Sequence, residues 1–430
     1  MHIVVVDPSQ QVPYYSRALT GALAERGDEV TLVTAPLLYY DIGPAAPGVH
    51  VVFAFGKLLG AAGAHARGGF RGDALVRHST LRRLLRATGY PLELRSFMRW
   101  IADTRPAVVH LQWSLAPGLD AWLLGALRRQ GIATVYTAHN VLPHEHRPWH
   151  APLYRRLHRS AERVIVHSHA ARERLIDLGG VDDDGIDDGR FDGDRIDDGR
   201  IDDLGAGDGA RVRVIPMPAD AAAPPPSRET ARRALELSPE VPLALFFGHV
   251  RPYKGLDGLL AAWPAVAARL PGARLVIAGP VAGGDRAVRR IQADIDGLGI
   301  AGSVDLRPGY VAPAQVPALF AAADLVALPY RDTDDSAVLA AACGHGRAVV
   351  ATAVGGLPEA LAEGGGLMVP PEDPAALAEA LVSVLSAPDR RDRLEAEMRA
   401  AAAAWTWRDA AEATQAVYAE LVATRARDPA

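Results

Sequence analysis

The sequence predicts an α/β protein of two doubly wound domains, each a mostly parallel sheet covered by helices, facing one another across a cleft. Three observations carry this. Short β-branched strands alternate with helix-patterned runs along most of the chain. At 430 residues the chain is long enough for two cores of ordinary size. A Pro/Ala-rich stretch at 219–226 (ADAAAPPP) separates two such alternating series. The expected layout is a first domain at 1–218, a linker at 219–240, a second domain at 241–405, and a terminal helix at 406–430 that crosses back onto the first.

The elements follow in order. Residues 3–7 (IVVVD) form a fully buried strand. A loop is expected at 10–15, then a helix at 16–26 with Leu19 and Leu23 on one face and Gly27 at its end. The strand at 29–34 completes a βαβ unit with a right-handed crossover. No G-x-G-x-x-G follows the first strand, which disfavours a dinucleotide grip there. Further strands are expected at 49–55, 108–112, 133–137, 163–167 and 213–215, with helices at 119–129 and 170–178. The arginine-rich region 67–105 has two readings. It is a basic amphipathic surface for an acceptor or an anionic membrane, or it is ordinary helices that bury Leu81, Leu84, Leu85 and Trp100. In the second domain, strands at 243–247, 274–278, 304–306, 325–328 and 348–352 alternate with helices at 256–269, 285–298, 314–322, 337–343 and 357–362. Helices at 374–385, 390–404 and 407–423 follow.

Residues 180–209 interrupt the pattern with a repeated Ile-Asp-Asp-Gly-Arg unit. Its spacing fits neither an EF-hand loop nor a glycine-rich calcium repeat, and its few apolar residues predict a disordered surface insertion. Twelve aspartates against three arginines there explain the formal charge of −5, and the remainder of the chain is about +4. Those basic residues are scattered, so nucleic acid is not an expected partner. A hydrophobic content of 49% and a single cysteine, Cys343, fit a globular protein of a reducing compartment. There is no basic leader before the first strand and no uninterrupted apolar run of about 18 residues. A cytoplasmic protein, soluble or peripheral to the inner face of a membrane, is expected.

The chemistry concentrates where strands end. In Gly248-His249-Val250-Arg251-Pro252-Tyr253-Lys254-Gly255, a glycine admits close backbone approach while Arg251 and Lys254 supply cations beside a helix start. Two such cations can neutralise a departing diphosphate, the work a metal does elsewhere; the plain alternative is a solvated basic loop. Asp332-Thr333-Asp334-Asp335-Ser336 contains a D-x-D, a weak signal in an acidic loop, and no metal is expected. Ser336 and the backbone N–H groups of Ala337 and Val338 suit a phosphate, or Ser336 simply caps its helix. Glu359, beyond Gly355-Gly356, contacts the donor or only favours its helix dipole. His139 at the end of the 133–137 strand meets a sugar hydroxyl or the reacting centre, or donates structurally to backbone. Gln11, Tyr14 and Asn140 are the expected acceptor-side contacts. His144, Glu145 and His146 lack the further ligand a zinc site needs.

Taken together, these segments resemble a retaining GT-B glycosyltransferase of the family 4, glycogen-synthase-like type, with two Rossmann-like domains. GHVRPYKGLDGLL is similar to the family's diphosphate loop, ADLVALPY to its Ala-Asp strand, GRAVVATAVGGLPE to its Gly-Gly…Glu segment, and YTAHNVLPHE to the strand end bearing its histidine. The resemblance implies a nucleotide-diphosphate sugar donor on the second domain and a carbohydrate or lipid-linked acceptor on the first. It further implies hexosyl transfer to a hydroxyl with retention, and no cofactor or metal. Arg251 and Lys254 would hold the diphosphate and His139 would approach the sugar. The chain departs from the pattern at several points. Thr333 and Ala341 stand where the family carries two glutamates, His249 where it has arginine, and Ala348 where it has proline. The opening glycine pair is replaced by Pro8-Ser9-Gln10-Gln11-Val12-Pro13-Tyr14. A subset of the family has a Ser-Gly-Val-Leu run where this chain has Ser336-Ala337-Val338-Leu339. Three other functions stay open: a sugar-nucleotide-binding protein without transferase activity, a sugar-nucleotide epimerase, and a binding scaffold that uses the acidic insertion.

Overall fold

The computed structural model describes residues 1–9, 13–36, 44–56, 79–181, 211–219, 226–238 and 240–427, with 79–88 as backbone only. Gln11, the acidic repeat and residues 67–78 of the basic region lie outside them, as do the side chains of Leu81, Leu84 and Leu85. The chain divides into two compact units, Met1–Ile215 with Trp407–Ala430, and Pro216–Thr406.

In the first unit the order is β1 (His2–Asp7), α1 (Pro13–Glu25), β2 (Glu29–Thr34), β3 (Val49–Phe53), α2 (Ser79–Thr104), β4 (Val108–Leu111), α3 (Pro117–Arg129) and β5 (Ala133–Thr137). It continues with α4 (His150–Ser160), β6 (Arg163–Val166), α5 (His169–Asp177) and β7 (Val212–Val214). The seven strands pair in the order β3-β2-β1-β4-β5-β6-β7, every pair parallel. The Val and Ile side chains of β1, β2, β4, β5 and β6 are buried because helices cover the sheet. The terminal helix of the chain, described with the second unit below, returns to α1 and β5: Arg26 binds Gln415 and Glu412, and Tyr418 reaches His110.

The second unit begins with α6 (Arg228–Ala234), inside the stretch read as linker. The Ser227 hydroxyl accepts from the Thr230 N–H, and this N-cap is the local signal that starts the helix. Then follow β8 (Leu243–Phe247), α7 (Leu256–Arg269), β9 (Arg274–Gly279), α8 (Gly284–Gly297), β10 (Val304–Pro308), α9 (Val316–Ala322) and β11 (Leu325–Leu328). After these come α10 (Ala337–Gly344), β12 (Ala348–Thr352), α11 (Leu357–Ala360), β13 (Gly366–Val369), α12 (Pro374–Leu385) and α13 (Pro388–Ala404). Last in the chain is α14 (Trp407–Arg427), part of the first unit. The sheet order is β10-β9-β8-β11-β12-β13, again all parallel. Alternation sorts the side chains: Ala244, Phe246, Leu325 and Ala327 enter a core with α7 and α12, while Leu243, Leu245, Val326 and Leu328 enter another with α9 and α10. That two-sided burial is why these strands read as unbroken apolar runs.

Besides α6, four elements differ from the sequence expectation. The expected loop at 10–15 gives way to helix at Pro13, a residue suited to a first helical position. β3 ends at Phe53 rather than 55. α4 was not anticipated, because HAPLYRRLHRS buries only Leu157 and His158 and has no side-chain cap. β13 has neither a β-branched run nor a clean alternation to mark it.

Candidate functional site

Both sheets reverse strand order at one place, between β1 and β4 in the first unit and between β8 and β11 in the second. In open α/β sheets the crevice beyond the carboxyl ends of the strands at such a reversal is where ligands bind.

In the second unit, β8 ends at Phe247, just before Gly248, and β11 at Leu328, just before Pro329-Tyr330. Gly248 has φ of +94°, and its N–H donates to the Ala278 carbonyl at 2.9 Å. A Cβ there would meet Lys254 Nζ at 3.0 Å and Val338 Cγ2 at 3.2 Å, so glycine keeps open the space these two side chains border. Pro252–Lys254 form one 3₁₀ turn that carries the lysine back under the strand end. Lys254 is only 6% exposed, with Nζ 5.3 Å from the centre of the Tyr330 ring. Burial lowers its pKa; Tyr253 opposes the shift and Arg251 adds to it. Arg251 is half-buried on the same turn and His249 is exposed.

α10 begins beside this lysine. Ser336 caps it, accepting from the Leu339 N–H at 3.1 Å, so its hydroxyl is already engaged and the N–H groups of Ala337 and Val338 remain for a ligand. Val338 packs toward Gly248, and Ala337 is exposed. The Asp335 carboxyl accepts from the Ser336 N–H at 2.6 Å through Oδ1, while Oδ2 is enclosed without a hydrogen-bond partner. Burial pushes that carboxyl up to about 7, against the Ser336 N–H and with help from Glu359. A carboxyl protonated in good part at neutral pH repels a phosphate less than an ordinary aspartate would. Gly355, at φ of +51°, lets the turn after β12 close onto the Thr333 carbonyl, where a Cβ has no room. Glu359 is exposed on α11. Thr333 and Asp334, in the acidic loop that carries the D-x-D, are buried under that turn. The structure thus brings Gly248, Lys254, Ser336, Val338, Asp335 and Tyr330 together, with Arg251 on the same loop as the lysine.

In the first unit, His139 lies just beyond β5 and is 7% exposed. Its Nδ1 is 3.0 Å from His167 Nε2, and its Nε2 is 3.2 Å from the Gln112 side chain. The ring therefore pairs with side chains and not with backbone. His167 Nδ1 is 2.8 Å from the Ile215 carbonyl, which can only accept. His167 thus carries its proton on Nδ1 and, when neutral, accepts at Nε2 from the His139 Nδ1–H. His110 continues the cluster to Thr137 at 2.7 Å and Tyr418 at 2.5 Å. Tyr15 packs on His139, His167 and Trp407 at ring-centre distances of 4.6, 5.2 and 5.0 Å. Sequence reasoning missed Gln112, His167, His110 and Tyr15; Gln112 and His167 lie just beyond β4 and β6 as His139 lies just beyond β5, and that was the signal available. Tyr14 is 45% exposed and Asn140 half-buried next to His139, while Gln11 is not among the described residues.

Burial lowers all three imidazoles, His110 to about 3, His167 to about 4 and His139 well below its ordinary value. The unfolded chain binds protons near pH 6.5 that the folded cluster refuses, so stability is full above that pH and falls as pH drops toward 4. The melting temperature should decline steeply between pH 6.5 and 4, and His167→Gln should flatten that slope; a profile level over the range would contradict the burial.

The chain matches two family models: "Glycosyl transferase 4-like domain" over residues 12–187 and "Glycosyl transferases group 1" over 241–387. A D-inositol 3-phosphate glycosyltransferase of Actinosynnema mirum is 32% identical over 325 residues, covering 73% of this chain and 72% of that one. Another from Segniliparus rotundus is 34% identical over 215 residues, 50% of this chain and 48% of its own length. The chain spans about half the length of the first curated relatives it matches. Among solved structures, sucrose-phosphate synthase from Thermosynechococcus elongatus superposes with a TM-score of 0.74 at 20% identity, over 99% of this chain and 100% of that one. Anabaena HepE in complex with UDP-glucose gives 0.69 at 16% identity, over 97% and 99%.

Proposed function

The chain belongs to the GT-B glycosyltransferases built from a 4-like and a group 1 domain, and on that premise we propose that it moves a hexosyl group from a nucleoside-diphosphate sugar to an acceptor hydroxyl. The donor is held by the second unit and a carbohydrate or lipid-linked acceptor by the first, with retention of configuration and without a metal. The observation that carries the reading is the buried Lys254 ammonium at the strand-order reversal, beside Gly248 and the N-terminus of α10. A cation sequestered with no carboxylate bonded to it in the described structure is positioned for an anion that comes and goes. As the bond from the anomeric carbon to the diphosphate breaks, the electron pair leaves with the phosphate oxygen, where Lys254 and Arg251 offset the new charge. The acceptor oxygen forms the replacing bond, and its proton passes to the departing diphosphate oxygen.

The test is calorimetric titration of the full chain with UDP, GDP, ADP and their glucose and mannose conjugates. One diphosphate family is expected to bind and to raise the melting temperature, as any ligand of the native state does. Binding should survive EDTA. Transfer is then read by the anomeric configuration of the product. No binding by any of these ligands would sink the proposal. Binding followed by acceptor-independent conversion of the sugar would make the protein an epimerase.

A further inference from the structure

The first unit carries an apolar patch on α3 and α4 that none of the site chemistry uses. Leu119 and Trp122 lie one turn apart on α3, 37% and 46% exposed. Trp149 and Leu153 lie one turn apart at the start of α4, 54% and 39% exposed. The two helices pack together, with Leu153 against Gly118, so Leu153 adjoins the residue next to Leu119. Scattered single apolar residues on a surface need no explanation, but two half-exposed tryptophans with two leucines on adjoining helices do.

Arginine dominates the charge on the two helices, with Glu145 exposed in the turn before α4. α4 carries Arg155, Arg156 and Arg159 and no acidic residue. α3 ends in Arg128 and Arg129, and its single carboxylate, Asp120, is buried, bound by Tyr90, Ser114 and the Ala116 N–H. The Arg147 guanidinium lies 5.1 Å from the centre of the Trp149 ring, a cation held against the aromatic body. Tryptophan and leucine flanked by arginines are what the headgroup region of a bilayer selects: indole sits at the interface and guanidinium meets anionic phosphate.

We infer that the α3–α4 face docks the protein on an anionic phospholipid bilayer. The Trp122, Trp149, Leu119 and Leu153 side chains enter the headgroup boundary, and Arg147, Arg156 and Arg159 meet lipid phosphates. The patch also has a useful address. Both helices begin at the carboxyl edge of their parallel sheet, the edge His139 occupies, and Trp113 in the turn before α3 is 6.4 Å from His139 in ring-centre distance. A surface docked there would deliver a lipid-borne hydroxyl from the membrane to that edge. The docking itself does not depend on the reaction proposed above.

Sedimentation of the purified full chain with phosphatidylcholine vesicles, and with vesicles that also contain phosphatidylglycerol, tests this without donor or acceptor. Binding to the anionic vesicles alone is expected, weakening as salt is raised. The pair Trp122→Ser and Trp149→Ser should lower the bound fraction about tenfold, as should Arg156→Glu with Arg159→Glu, since both kinds of contact contribute to interfacial binding. All four sites are exposed, so circular dichroism and melting temperature should stay at wild-type values. Absence of sedimentation, equal sedimentation with neutral vesicles, or variants that bind like wild type would each overturn it. So would a concentration-dependent dimer that Trp149→Ser dissolves in a protein that ignores vesicles, which would give the face to a second copy of the chain.

Discussion

Replacing Lys254 with alanine lowers turnover by about 10²- to 10³-fold, roughly 3–4 kcal/mol, the range found when one preorganised donor to a developing anion is removed. The lysine is buried between the Gly248 backbone and the Tyr330 ring, so solvent screens its charge little. Its pKa is already lowered, chiefly by desolvation and further by Arg251, which means the empty site holds a cation at some expense. A bound diphosphate supplies the missing counter-charge and raises that pKa. Donor affinity therefore falls as pH climbs through the lowered value of the free protein, because above it the ammonium must first be regained. The alanine variant loses this alkaline decline along with the rate. Lys254→Arg is not a conservative control, because a planar guanidinium does not reproduce a compact buried ammonium. Arg251→Ala, half-buried and on the same turn, should cost less. Steady-state rates over pH with the donor found by titration settle the matter, and an alanine variant with wild-type turnover would remove Lys254 from the mechanism.

How much of this was legible beforehand depended on how local each signal is. Lys254 and Gly248 could be found because the loop that carries them directly follows an apolar strand, so residue type and position coincide within nine residues. The two parallel sheets were legible for the same reason, since burial on both faces writes itself into each strand as an apolar run. The histidine cluster was not. Gln112, His139 and His167 come from three successive strand ends, Tyr15 from α1 and Tyr418 from α14, and only the pairing order of the strands makes them neighbours. α4 was missed because its apolar side chains face outward as much as inward, and a helix read by its buried stripe disappears when the stripe is half exposed. Its visible features, arginine and tryptophan, are those that the interfacial proposal uses.

Asp324→Ala should destabilise the second unit by about 3–5 kcal/mol, the cost of leaving a buried cation without its partner. Asp324 stands in ADLVALPY, part of the stretch that resembles the family, yet it sits at the amino end of β11, on the edge of the sheet opposite the site. Its Oδ2 accepts from Arg232 Nη2 at 2.7 Å and from the Leu243 N–H at 2.8 Å. Oδ1 accepts from Arg391 at 3.1 Å. One carboxylate thereby fixes the start of β8, the helix α6 and the helix α13. Arg232 is 3% exposed and also donates to the Ala322 carbonyl, so it cannot swing to water when the carboxylate goes. Glu395 nearby, bound to Arg228 and Arg347 at 2.6 and 2.9 Å, is already paired and cannot take over. Asp324→Asn keeps the acceptor and loses the charge, so it should fall between alanine and wild type. Because the lock and the site lie at opposite edges of one sheet, the fraction still folded should bind donor with unchanged affinity. A variant that melts like wild type but binds donor weakly would reverse the assignment and make this aspartate part of the site.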